Sequence, residues 1–336
     1  MSIENNKKKQ RGKYVIKSSN VVIEKTFNEA FEDFIEEKVA QNRAESTIRN
    51  YKQSIEYFRE FNDFDDTTLI KDVDKEMVYS FIGYKKAENI SPASINHYLR
   101  DIRTFLYWCM EEPREYLKYY RIKEGSAQEE KPKMLSEEDL AKLLNKPSGR
   151  STSDFTEWRC YAIVSWILAT GNRTGTVREV RIGDVDFKKK EITLSHTKNK
   201  KAQGIPLSDS LRQVLVEYTR LYRANADSSK YLFPTVRNEP LTYNALRLSY
   251  TRYCKDRGVE DTALHHLRHT FAYNYIKSGG DVVRLQKILG HNNISITRRY
   301  VNLMIDDIKE DYEDHSMLDM MKKKAKRTKL ITSSLD

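Results

Sequence analysis

The chain has 336 residues and carries 59 Lys and Arg against 49 Asp and Glu, a net charge of +10. That length allows two or three domains with cores of their own, and the basic balance favours a polyanionic partner without requiring nucleic acid. Three scattered cysteines, Cys109, Cys160 and Cys254, speak against a disulfide framework and a cysteine-ligated zinc site, and for a reducing, cytoplasmic compartment. No run of about 18 apolar residues is present to span a membrane, and no apolar segment follows the basic N-terminus as a secretory signal requires.

Residues 1–22 hold Lys7, Lys8, Lys9, Arg11, Lys13 and Lys17. They read as a flexible basic arm, either simply solvated or lying along a phosphate backbone. From Thr26 the pattern turns helical: Phe27, Ala30, Phe31, Phe34 and Ile35 form one apolar face, with Thr26 and Glu29 placed for a capping box. A second helix starts near Ser46, with Ile48, Tyr51, Ile55 and Phe58 inward. A third spans about Asp74 to Lys86. A fourth opens at Ser91-Pro92, with proline at the first helical position, and buries Ile95, Leu99, Ile102, Phe105 and Leu106. Four helices predict a small bundle over residues 23–112. Residues 113–133 lack apolar periodicity and read as an interdomain linker.

A larger domain is predicted for residues 134–310. Ser136 caps a short helix, and a long apolar helix, about Asp154 to Thr170, should form the central core before Gly171 breaks it. Val185-Asp186-Phe187, Glu191 to Leu194 and Gly204-Ile205 predict short strands of one small antiparallel sheet, with lysine-rich turns between them. Ser208 and Thr242 open two more helices. The expected class is therefore mainly α with a small antiparallel β-sheet. Residues 311–336 form a tail with Tyr312, Met317, Leu318 and Met321 at rough helical spacing and a basic end.

One stretch carries most of the chemistry. From Leu264 the chain reads as a helix in which Leu267, Phe271 and Tyr275 recur every fourth residue until Gly279-Gly280 stops it, and His265 and Arg268 stand three apart on it. A second short helix runs from Asp281 to Leu289, ended by Gly290, with His291 directly after and Tyr300 nine residues beyond. Arginine suits phosphate because its planar fork donates paired hydrogen bonds and keeps its charge. Histidine moves protons near neutral pH, and tyrosine can act as a covalent nucleophile. Taken singly, each is also an ordinary solvated or structural residue, and Tyr300 is one of 21 tyrosines.

Taken together, H-x-x-R (His265 to Arg268), L-G-H (Leu289, Gly290, His291) and Tyr300 resemble the catalytic end of the tyrosine recombinases, the phage-integrase family. Upstream, Thr170-Gly171-Asn172-Arg173 is similar to that family's T-G-x-R motif, and Val180-Arg181 with Asp184-Val185-Asp186 continues the match. Thr197-Lys198-Asn199-Lys200, ahead of Pro206, matches the hairpin that bears the family's lysine. The sequence departs from the pattern at Thr176, where many relatives are acidic, at Asn172, usually apolar, and at His266, often acidic. The resemblance implies a helical core-binding domain followed by a catalytic domain, with the linker letting the chain wrap a duplex. It implies that the second and fourth helices enter DNA, making Arg43, Arg49, Lys52, Asn96, Arg100 and Arg103 candidate contacts; the plain alternative is a solvated polar face.

The resemblance further implies that Arg173 and Arg268 clamp the phosphate and that Lys198 protonates the departing 5′ oxygen. His265 then assists proton transfer at the tyrosine, His291 hydrogen-bonds the phosphate, and Tyr300 forms a 3′-phosphotyrosine bond. No metal, ATP or other cofactor is called for. The partners are double-stranded DNA and three further copies of the chain, a homo-tetramer on two sites, with room for an accessory DNA-bending or directionality factor; no membrane is involved and the protein is expected on the nucleoid. The tail is expected to dock either on its own subunit or on a neighbour. Three other readings remain: a zinc enzyme using His265, His269 and His291, which lacks H-E-x-x-H and sets Arg268 between its ligands; a DNA-binding protein that keeps the fold without catalysis; and, inside the family, an Xer-like dimer resolvase. The basic termini lean towards the integrase or transposase of a mobile element.

Overall fold

A computed structural model describes residues 24–123, 131–149, 154–194, 203–303, 316–318 and 321–322. The chain divides into two compact units, Met1–Glu129 and Glu130–Asp336. Its class is mainly α with one small antiparallel sheet.

The first unit consists of α1 (Phe27–Ala40), α2 (Glu45–Phe61), α3 (Lys75–Ala87) and α4 (Pro92–Met110). Thr26 and Glu29 form the capping box that the sequence predicts, and Asp74 and Ser91 cap α3 and α4 through their side chains. Each cap satisfies helix donors that would otherwise lack a partner. The core is unusually aromatic: Phe27 meets Phe105 edge-on at 5.4 Å, and Phe58 meets Phe81 at 5.7 Å. Such pairs are worth about 0.5–1.5 kcal/mol beyond the area they bury. Asp101 of α4 is 2% exposed and accepts from Ser54 of α2 at 3.0 Å, tying the two helices together. The segment predicted as linker from Pro113 does not begin as one. Leu117 and Ile122 are buried in this unit's core, and the Tyr107 hydroxyl bonds both the N–H and the C=O of Ile122. Irregular backbone has no hydrophobic period, so this burial left no pattern to read.

The second unit is built on α6 (Phe155–Thr170), which is buried along most of its length because it is apolar all round. Around it lie α5 (Glu137–Leu143), α7 (Thr174–Glu179), α8 (Asp209–Tyr222), α9 (Tyr243–Lys255), α10 (Leu264–Lys277) and α11 (Val282–Leu289). Residues 294–303 are helical as well. The strands β1 (Val185–Asp186), β2 (Glu191–Leu194) and β3 (Gln203–Pro206) pair antiparallel in that order, with Val185 opposite Ile192 and Ile192 opposite Ile205. A separate small cluster, Ala272, Ile276, Leu285, Leu289 and Tyr300, seals α10 and α11 against the last helical stretch. It is this cluster that packs Tyr300 against α10 and α11. The arm of residues 1–22, Lys198 and most of the tail lie outside the described residues; Met317, Leu318 and Met321 of the tail are described and exposed. Among the described residues no helix is long and apolar enough to cross a membrane.

Candidate active site

Two glycines in the left-handed conformation set the site's frame. Gly171 ends α6 at φ 65° and Gly290 ends α11 at φ 61°. Glycine reaches this region without the clash a Cβ would make. Both turns leave carbonyl oxygens facing inward, and two arginines take them up. Arg268 donates to the carbonyl of Gly171 at 2.6 Å and to that of Leu289 at 3.0 Å. Arg173, the residue just before α7, donates to the carbonyls of Leu289 at 3.3 Å and Gly290 at 3.4 Å. The C-terminal carbonyls of a helix carry its negative dipole end, which makes them suitable anchors for cations.

Anchoring does not abolish the repulsion between the guanidinium groups. Burial, and then the charge of Arg173, pull Arg268 down to about 10. Burial likewise lowers Arg173. The carbonyl bonds and one to His291 use three of the five N–H groups of Arg268. An anionic group entering here would find free donors and relieve the repulsion.

The neighbouring imidazole is defined by its partners. Arg268 stands 2.8 Å from Nε2 of His291, and arginine has no acceptor, so Nε2 must accept. Nδ1 therefore carries the proton and donates to Thr297 Oγ1 at 2.9 Å. His291 is neutral in this arrangement, held down to about 4 by burial, then by Arg268, Arg173 and Arg299. Its Nε2 carries no proton here and donates only after Arg268 releases it and the ring gains a proton there.

Tyr300 is 3% exposed, and its hydroxyl lies 2.8 Å from Nδ1 of His269. Burial raises its pKa, while the charges of Arg268, Arg299 and Arg173 pull the other way. His265, the histidine that the motif points to, is exposed on α10, its ring edge-on to that of His269 at 5.4 Å between centroids. Next to it, His266 is paired with Asp261 at 2.5 Å. The structure thus brings Arg173, Arg268, His291 and Tyr300 around the ends of α6, α10 and α11, keeps His265 at the margin, and leaves Lys198 outside what it describes. Among the described residues no group of three or more His, Cys, Asp or Glu could hold a metal ion.

Two participants had no sequence signal as such. His269 drew notice only for a zinc-like spacing to His265; its position one residue after Arg268 is what turns it to the tyrosine. Thr297 carries no motif at all. Asn172, a departure from the family pattern, has a structural reason: its amide oxygen accepts from the buried indole of Trp166 at 2.9 Å. Of the residues named as DNA contacts, Arg43, Arg49, Lys52 and Arg100 are exposed on the first unit, whereas Asn96 and Arg103 are half-buried. Arg103 lies over the ring of Tyr107, and Arg100 is held by His97 Nδ1 at 2.5 Å.

The family profile described as phage integrase family matches residues 133–307, and that of the phage integrase SAM-like domain matches residues 26–123. Tyrosine recombinase XerD of Listeria innocua serovar 6a is 25% identical over 294 residues, which is 85% of this chain and 98% of that one. Tyrosine recombinase XerA of Saccharolobus solfataricus is 27% identical over 287 residues, 83% and 90% of the two chains. The crystal structure of XerH site-specific recombinase bound to palindromic difH substrate, in a post-cleavage complex, has the same fold at a TM-score of 0.65 and 22% identity, over 86% of this chain and 84% of that one.

Proposed function

This chain belongs to the phage integrase family and is a tyrosine recombinase; from that premise we propose that it cuts and rejoins duplex DNA at specific sites through a 3′-phosphotyrosine intermediate. The observation that carries the reading is the placement of the buried Tyr300 hydroxyl in the same cluster of helix ends that holds Arg268 and Arg173.

The scissile phosphodiester seats against the two guanidinium groups. Charge builds on its non-bridging oxygens as the tyrosine attacks, and preorganised donors there supply the largest part of such catalysis. A phosphate oxygen replaces His291 as partner of Arg268, and the Nε2 of His291, once it takes up a proton beside the phosphate, donates to it. Lys198 protonates the departing 5′ oxygen. His265, at the margin, assists proton movement at the tyrosine from outside. The bond energy stays in the adduct, so a 5′ hydroxyl from a partner strand reverses the attack. Two sites with two strands each need four nucleophiles, hence four protomers on two duplexes. The basic faces of the first unit, Arg43, Arg49, Lys52 and Arg100 foremost, bind backbone and groove, with half-buried Asn96 and Arg103 as further contacts; affinity then falls steeply with salt.

The test is a nicked suicide substrate that traps the adduct. Wild-type protein should become covalently linked and Tyr300→Phe should bind equally but form no adduct. An adduct on Tyr300→Phe, or none on the wild type, overturns the chemistry. Relatives named XerD and XerA over more than four-fifths of this chain favour an Xer-type role. The mobile-element reading rests on the basic residues of the arm and tail. Recovering adducted DNA from cells separates the two: one chromosomal site supports the first, and the paired ends of a movable segment support the second.

A further inference from the structure

We propose that His269, rather than the motif histidine His265, takes the proton from Tyr300 when the tyrosine attacks. The inference rests on the phosphotyrosine reading above and adds a residue to it. His269 Nδ1 lies 2.8 Å from the Tyr300 hydroxyl, within reach for direct transfer, whereas His265 is exposed, its ring 5.4 Å from that of His269. Tyr300 is 3% exposed within its apolar cluster and His269 is half-buried, so bulk water is a poor competitor for the phenolic proton.

The step balances simply. The Tyr300 oxygen bonds to phosphorus as the bond from phosphorus to the 5′ oxygen breaks. The phenolic proton passes to Nδ1 of His269, and the 5′ oxygen leaves with a proton from Lys198. On rejoining, the His269 imidazolium returns its proton to the tyrosine.

The surroundings make this base dormant until DNA arrives. His269 is flanked by His265, His266, Arg299 and Arg268, with Asp261 engaged on the far side of His266. Burial first, and then these histidine and arginine neighbours, hold its pKa at about 4, so an imidazolium is costly in the free protein. Burial raises Tyr300 at the same time. A seated phosphate brings negative charge to the same ring of cations; it raises the basicity of His269 and makes the phenol harder to ionise unaided, so the attack depends on the base. The base is thereby armed by the group that the nucleophile attacks.

Single-turnover cleavage of the suicide substrate by the full chain tests this, with DNA affinity measured alongside. His269→Asn keeps an acceptor atom close to where Nδ1 lies but cannot take a proton. Transfer predicts that His269→Asn and His269→Ala both lose roughly 10²–10⁴-fold in cleavage rate. Replacing Tyr300 by a fluorinated tyrosine of lower pKa should recover at least about tenfold of that loss, because a phenol that ionises unaided needs the base less. His265→Ala should lose less than either. A cleavage rate for His269→Asn within about threefold of wild type, or a loss that the fluorinated tyrosine does not recover, overturns the proposal and leaves His269 a packing residue. Failure of the wild type to form any adduct defeats the phosphotyrosine reading instead, so the two failures are distinct.

Discussion

Gly171→Ala should damage both stability and the placement of Arg268. Gly171 sits at φ 65°, where an L side chain is strained by about 1–2 kcal/mol. A Cβ there would come within 2.6 Å of Phe271 Cε1 and 2.7 Å of Leu289 Cδ2, so both side chains must move in a packed region. Overpacking of that kind costs about 1–3 kcal/mol more. The sum, about 2–5 kcal/mol, corresponds to a drop in Tm on the order of 5–20 °C for a unit of this size. Leu289 also supplies the carbonyl shared by Arg173 and Arg268, and Gly171 itself accepts from Arg268, so the strain reaches both guanidinium groups. Calorimetry and suicide-substrate cleavage measure the two effects. Gly175→Ala is the control: nothing lies within 4 Å of its Cβ position and it is helical, so stability should hold or rise slightly. A Gly171→Ala protein that melts within a degree of wild type would refute the argument from left-handed geometry and close packing.

Thr297→Val should leave the Nδ1–H of His291 buried without an acceptor, costing about 1–3 kcal/mol and removing the preference for that tautomer. Long-range NMR correlations on labelled histidine check the premise directly; a proton on Nε2 of His291 in the free protein would contradict it. Acid should destabilise the second unit well before its carboxylates matter. His269 and His291 are pulled from 6.5 to about 4, so the unfolded chain binds protons that the fold refuses. Their contribution is complete above about pH 6.5 and declines as pH falls towards 4, by a few kcal/mol at most for the pair. Denaturation at pH 7 and pH 5 tests this: His291→Gln should show a flatter dependence, and an unchanged wild-type stability between those pH values would sink it.

Much of the architecture was legible because local chemistry dictates it. Thr26 with Glu29, Asp74, Ser91-Pro92, Ser136, Ser208, Thr242 and Asp281 each mark a helix start, since a side-chain acceptor there replaces backbone bonds the helix lacks. Gly171 and Gly290 mark two ends for the matching reason at the C-terminus. The second helix starts at Glu45, one residue before the start expected near Ser46, and has no side-chain cap. The fold of residues 113–123 against the first core escaped notice because it follows no period.

The order of the motifs along the chain named Arg173, Arg268, His291 and Tyr300, since residue type and spacing within a turn are properties of the chain itself. Which histidine meets the tyrosine is a different kind of fact. His265 and His269 lie one helical turn apart on α10, and spacing cannot say which of them faces a residue 31 positions further on. That choice was made by the packing of Tyr300 into the cluster of Ala272, Ile276, Leu285 and Leu289. Likewise the tautomer of His291 comes from Arg268 and Thr297, groups 23 and 6 positions away, brought to its two ring nitrogens only when α10, α11 and the last helical stretch pack together.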